Sequence, residues 1–315
     1  MLDVQDVTKR YTGKTAVDSV SFSTGEGRIF GLLGPNGAGK TTTIRMITYI
    51  TTPDSGEIRF KNKVVGPWSQ RLMGYLPEER GLYRRMKVGE QLVYLARLKG
   101  LDVPEAKKRI QYWLDRFDAG SWGSKRVDEL SKGMQQKIQF IATILHEPEL
   151  LIFDEPFSGL DPINSELLQS VIFELKSKGR TILFASHRME QVEQLCDDIC
   201  MISDGRIVAN GSVRDIKSSF GRDTVRLDFS GSGTFISSLE ANGLIRVVSQ
   251  TTNTAELRLI NGTASRKVLD EALGSVSDLY RFEVVEPSLH EIFVSVINSS
   301  RAAAGQVKTA SGEQQ

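Results

Sequence analysis

Gly34-Pro35-Asn36-Gly37-Ala38-Gly39-Lys40-Thr41 is the stretch on which the fold assignment turns. It fits the spacing G-x-x-x-x-G-K-[ST]. Arg28 to Leu33 reads as a buried strand before it, and Thr41 to Tyr49 reads as a helix after it. That order has a physical use. Glycines let main-chain N–H groups converge on phosphate oxygens, and the N-terminus of the next helix adds positive potential. Lys40 brings charge to the β- and γ-phosphates, and the Thr41 hydroxyl, with Thr42 beside it, completes a nucleotide-binding run whose threonine suits Mg²⁺. The bland alternative is a Gly-rich turn with an incidental lysine. The flanking strand and helix speak against it.

Working outward, Leu150-Leu151-Ile152-Phe153-Asp154-Glu155 reads as a buried strand ending in two acids. Placed next to the phosphate-loop strand, it would deliver Asp154 to a Mg²⁺ shell and Glu155 to an attacking water. Strand-like Thr181 to Ala185 and helical Ile163 to Ser177 continue an alternation that argues for a mainly parallel sheet with covering helices. Before it, Leu2 to Val7 and Ser19 to Ser23 alternate apolar with polar, as half-exposed antiparallel strands do. Val88 to Asp118 carries two helical patterns with no strand between them, as an inserted lobe would. The pattern changes near Ser218 to Arg222. From Thr224 to Val285 the order reads βαββαβ, a ferredoxin-like unit whose core would include Val225, Leu227, Phe229, Leu257 and Val284. The expected division is 1–220, 221–300 and a disordered tail at 301–315.

Composition narrows the class. The chain has 315 residues, 40 Lys and Arg against 39 Asp and Glu, and a formal net charge of +1. That balance does not suit bulk nucleic-acid binding. No apolar run approaches the ~18–20 residues of a membrane span. The start, Met1-Leu2-Asp3-Val4, lacks a basic segment and an apolar segment, so secretion is not expected. Cys196 and Cys200 have no second pair and read as two half-buried thiols.

Leu130-Ser131-Lys132-Gly133-Met134-Gln135-Gln136-Lys137 opens a helix, with Ser131 24 residues ahead of Glu155. It resembles the LSGGQ signature of ABC ATPases. Ser158-Gly159-Leu160-Asp161 resembles the family's D-loop, His187 its switch histidine, and Tyr11 the aromatic that stacks on adenine. The motifs run in order over about residues 1–217, and the chain resembles an ABC transporter ATP-binding subunit. The βαββαβ tail and Leu76 to Tyr83 are similar to the sodium-extrusion subfamily, paired with ABC-2-type permeases.

The resemblance implies an ABC-type P-loop NTPase: a mainly parallel α/β core, an antiparallel β subdomain, a helical lobe and a small α+β C-terminal domain. It implies an ATPase with catalytic Glu155 and His187, and a head-to-tail homodimer on Mg·ATP in which Ser131 and Gly133 face the partner's γ-phosphate. It also implies a separate membrane permease docked on the lobe, and a place at the cytoplasmic face of the membrane. Glu78 stands where the family carries a glutamine in the loop coupled to the permease. As a carboxylate it would neighbour the metal or turn toward Arg80, Arg84 or Arg85. A soluble ABC ATPase acting on DNA or ribosomes is the rival. It would call for a long coiled coil or a second phosphate loop, and neither is seen in the sequence.

Overall fold

The computed structural model describes residues 1–79, 81–221 and 223–297. Arg80 and the expected tail at 301–315 lie outside them. The chain divides into two compact units, Met1–Val213 and the part from Arg214 onward. That boundary precedes the break read near residues 218–222, because a short helix runs across it and postpones the change in pattern.

In the first unit, β1 (Leu2–Tyr11) and β2 (Lys14–Thr24) form an antiparallel hairpin. Val17, Val20 and Phe22 of β2 are buried, while Ser19, Ser21 and Ser23 between them are exposed. β3 (Ile29–Leu33) is buried along its whole length and feeds helix α1 (Lys40–Ile47). β4 (Ser55–Phe60) and β5 (Lys63–Val64) complete an antiparallel sheet of order β2-β1-β4-β5. β6 (Met73–Leu76) is followed by the inserted lobe, helices α2 (Val88–Leu98) and α3 (Val103–Arg116). Then come α4 (Lys132–Ile144), β7 (Leu150–Asp154), α5 (Pro162–Ser177), β8 (Thr181–Ser186) and α6 (Met189–Leu195). The hairpin β9 (Asp198–Ser203) and β10 (Arg206–Ser212) leads into α7 (Val213–Ser219).

The second sheet has the order β10-β9-β3-β8-β7-β6. Its strands from β9 to β6 are parallel, and β10 is antiparallel at the edge. The acid-bearing strand is therefore not next to the phosphate-loop strand, as the sequence reading placed it. β8 lies between them. The arrangement is chemically useful, because the end of β8 and the residue after it bring Ser186 and His187 against Glu155. The carboxyl ends of parallel strands in such sheets are where ligands bind.

Two hairpin turns escaped the sequence reading. Lys61-Asn62 and Asp204-Gly205 each place both central residues at positive φ, 52° and 62° in the first and 49° and 78° in the second. That is the type I′ geometry whose twist matches flanking strands, and Asp-Gly is its usual signature.

The second unit carries β11 (Thr224–Gly231), α8 (Thr234–Ala241), β12 (Ile245–Gln250), β13 (Thr254–Leu259), α9 (Ser265–Ser275) and β14 (Val276–Val285). Its antiparallel sheet has the order β12-β13-β11-β14, the ferredoxin-like arrangement. Residues 289–297 are helical. Val225, Leu227, Phe229 and Leu257 form its core with Phe235 and Ile236, whereas Val284 lies on edge strand β14 and is exposed. Cys196 and Cys200 are free and buried rather than half-buried, and burial pushes the Cys200 thiol up to about 12.

Candidate active site

The loops after β3 and β7 meet the β1–β2 hairpin at a cleft of about 370 Å³. The phosphate loop lines it with Asn36, Gly37, Gly39, Lys40, Thr41 and Thr42. The hairpin adds Tyr11, Lys14 and Ala16, and Glu78, Asp154 and Glu155 line it as well. Gly34, Pro35 and Ala38 shape the loop without lining the cleft. At Gly34, φ is 153°, and a Cβ would stand 2.1 Å from the Ile202 carbonyl oxygen. At Gly39, φ is 110°, and a Cβ would stand 2.5 Å from the Ala16 carbonyl oxygen. Any larger residue at either place would force the loop away from the sheet.

Lys40 is buried, and its Nζ donates to the carbonyls of Gly34 at 2.7 Å and Pro35 at 3.2 Å. Burial lowers its pKa, against the opposing pull of Glu155, Asp154 and Glu78. The Thr41 hydroxyl donates to Asp154 Oδ2 at 3.1 Å. Asp154 is 1% exposed. Burial above all, with Glu78 and Glu155 adding repulsion, raises its pKa from 3.8 to about 6, although the Thr41 hydroxyl and Lys40 pull the other way.

The sign of that shift gives a prediction. A carboxyl that holds its proton more tightly in the folded chain favours folding at low pH. The contribution is present below about pH 4 and is lost as pH rises through about 6. Asp154→Asn is therefore expected to stabilise the ligand-free chain at pH 7.5 by up to about 3 kcal/mol. The gain should shrink toward pH 4, and calorimetry across that range checks it.

Glu155 has φ 51°, a left-handed conformation that is strained for a side chain of this kind and is found at functional sites. Its N–H donates to the Ala185 carbonyl at 3.0 Å. Its Oε1 accepts the His187 main-chain N–H at 2.7 Å and lies 2.6 Å from His187 Nδ1, while Oε2 accepts the Ser186 hydroxyl at 3.0 Å. Ser186 is fully buried and accepts the Arg188 N–H at 3.0 Å. The base candidate and the histidine candidate are thus in direct contact, held by a serine that the sequence reading passed over. Its position immediately before His187 was the available signal. His187 lines a smaller adjoining hollow with Glu78, Glu155 and Ser158.

Tyr11 is half exposed where the hairpin lines the cleft, with Lys9 Nζ 5.8 Å from its ring centroid. Glu78 is exposed on the cleft wall and forms no ion pair with Arg84 or Arg85. Ser131, Gly133 and Asp161 line neither cavity. Ser131 caps α4, its Oγ accepting the Met134 N–H at 3.3 Å. A Cβ at Gly133 would stand 3.3 Å from the Gly159 carbonyl oxygen, so the glycine keeps α4 close to the 158–161 loop. Asp161 caps α5, and the Asn164 N–H groups hold its carboxyl below the usual range.

Residues 17–158 match the ABC transporter family, and residues 211–297 match the C-terminal domain of DrrA1-3-like ATP-binding proteins. The chain is 46% identical to YhaQ of Bacillus subtilis (strain 168), an uncharacterized ABC transporter ATP-binding protein, over 95% of this chain and 99% of that one. It is 35% identical to the linearmycin resistance ATP-binding protein LnrL of the same organism, over 94% and 98%. A solved ATP-binding subunit of an ABC transporter superposes with a TM-score of 0.67 at 35% identity, covering 70% of this chain and 93% of that one. With a phosphate loop, a buried strand-end aspartate and a glutamate–histidine contact at one cleft, the chain is an ATPase that belongs to the family of ABC transporter ATP-binding proteins.

Proposed function

We propose that the chain works as a pair, two copies closing head to tail on two Mg·ATP and driving export through a separate membrane permease. One observation carries this reading: the cleft takes its phosphate loop and acids from this chain, while Ser131 and Gly133 line neither it nor the adjoining hollow. They sit at the N-terminus of a 13-residue helix, where a cap hydroxyl, free N–H groups and the helix dipole suit an anion. A second copy brings its own Ser131 and Gly133 to the nucleotide, and each chain carries both halves.

The residues suit Mg²⁺. Among the described residues no cluster of three or more His, Cys, Asp or Glu could hold a metal. Thr41 and Asp154 offer two oxygens, which is what this ion takes when substrate phosphates and water supply the rest. Bound there, it would offset charge on the β- and γ-phosphates. Lys40 and the loop N–H groups bind the phosphates, Tyr11 stacks on the base, and Glu155 orients and deprotonates the attacking water. His187 and Ser186 fix the Glu155 carboxylate.

LnrL is named for linearmycin resistance, and a 37% identical relative in Burkholderia thailandensis is named for Nod factor export, which supports export. No helix among the described residues is long and apolar enough to cross a membrane, in keeping with a permease made from another chain. The lobe presents a groove of about 890 Å³ with Val93, Tyr94, Leu98, Ile110 and Leu114 along it. Leu92, Trp113 and Phe117 are lobe core, but Tyr94 and Leu98 are exposed and free to receive a permease helix. In cells that hold the permease, the wild-type chain should sediment with membranes. Leu98→Glu should move it to the soluble fraction while ATP binding persists. A wild-type chain that stays soluble there would refute the coupling.

A further inference from the structure

Helix α4 holds the site's two acid-bearing loops with buried amides. Gln136 Nε2 donates to the Pro156 carbonyl at 2.9 Å, one residue past Glu155. Gln139 stands three residues on, and so on the same helix face. Its Nε2 donates at 3.2 Å to the Pro77 carbonyl and at 3.2 Å to the Glu79 carbonyl, the two residues that bracket Glu78. Both neighbours of that end are acceptors, so it must be the NH₂ end of the amide. Gln139 Oε1 is buried and has no hydrogen-bond partner among the described residues.

A buried amide oxygen without a partner costs stability, which offsets part of what the two donated bonds contribute. Fold stability alone is therefore a weak reason for a glutamine at this place. What the side chain does is fix the loop carrying Glu78. The other end of α4 carries Ser131 and Gly133. Residues 131 and 139 are about 12 Å apart along a helix axis. A single rigid element thus has the partner-facing residues at one end and, two turns later, the amides that hold the acids of its own cleft.

We propose that Gln139 is a positioning residue: through it, α4 sets Glu78 in the cleft, so that a partner's nucleotide pressing on Ser131 is felt at this chain's own site. The inference rests on the two-copy reading above. Gln139 touches no substrate, so its effect belongs in kcat. A displacement of about 1 Å can cost on the order of 10²-fold in rate.

Gln139→Met keeps length and volume and removes both donors. ATP affinity of the variant should match that of the wild-type chain, with kcat of Mg·ATP hydrolysis lower by about 10-fold or more. In a Glu78→Ala background the same change should alter kcat by less than about twofold, because the loop then has no acid to place. A structural role would not produce that non-additivity. Wild-type kcat in Gln139→Met, or the full loss repeated on top of Glu78→Ala, overturns the proposal. Gln139→Ala, which cannot overfill the site, is the second variant. Loss of ATP binding in both would make residue 139 a folding residue and also overturn it. Full turnover by a wild-type chain that stays monomeric would instead remove the two-copy reading, and this inference with it.

Discussion

Glu155→Gln is expected to bind Mg·ATP as the wild-type chain does and to lose turnover by about 10²–10⁴-fold, the range over which a general base acts. The substitution changes little but chemistry. Glutamine has the same shape, and its oxygen can still accept the His187 N–H that Glu155 Oε1 accepts at 2.7 Å. Its amide cannot take a proton from water. Because the nucleotide is part of the closed interface and favours it, blocking hydrolysis should leave an ATP-bound dimer that size exclusion detects. Phosphate release from Glu155→Gln at the wild-type rate would remove Glu155 from the role of base.

Ser131→Arg is expected to abolish both ATP-dependent dimerisation and turnover, and to leave ATP binding by the monomer intact. Ser131 is exposed and lies outside the cleft that Lys40 and Thr41 line. Its local structural task is the single cap to Met134, whose loss costs about 1 kcal/mol. Arginine adds bulk and charge where the facing γ-phosphate would sit. Donors that close a site around developing charge account for much of the rate of phosphoryl transfer. Removing them from both sites of the pair should cost far more than the cap.

Much of this site is legible in the sequence because its parts are contiguous. Gly34 to Thr42 and Leu150 to Glu155 are strand–loop units whose chemistry lies within a few residues, and the βαββαβ order of the second unit follows from local periodicity. Relations between distant segments were not legible. Periodicity shows that β7 is buried, but not that β8 lies between it and β3. Ser186 looks like an ordinary strand end until its hydroxyl is found on Glu155. Gln136 belongs to the signature-like run and Gln139 follows it, and only the fold shows them buried against carbonyls 20 and about 60 residues away. Glu78 was ambiguous for the same reason. Its neighbours Arg84 and Arg85 are close in sequence, whereas Lys40 and Asp154, whose fields it affects, are far.

The central claim is that each hydrolytic site is built from two chains, and mixing two inactive variants tests it most directly. Lys40→Ala lacks a working phosphate loop but keeps Ser131, whereas Ser131→Arg keeps the phosphate loop and lacks the facing helix end. Each alone should release little phosphate from Mg·ATP. In a mixed pair, the Lys40 of one chain meets the Ser131 of the other at one complete site. Because neither variant pairs with itself and a mixed pair has one complete site of two, activity should recover to at most about half of the wild-type rate at equal total chain. A mixture that releases no more phosphate than the two variants measured separately would contradict the two-chain site.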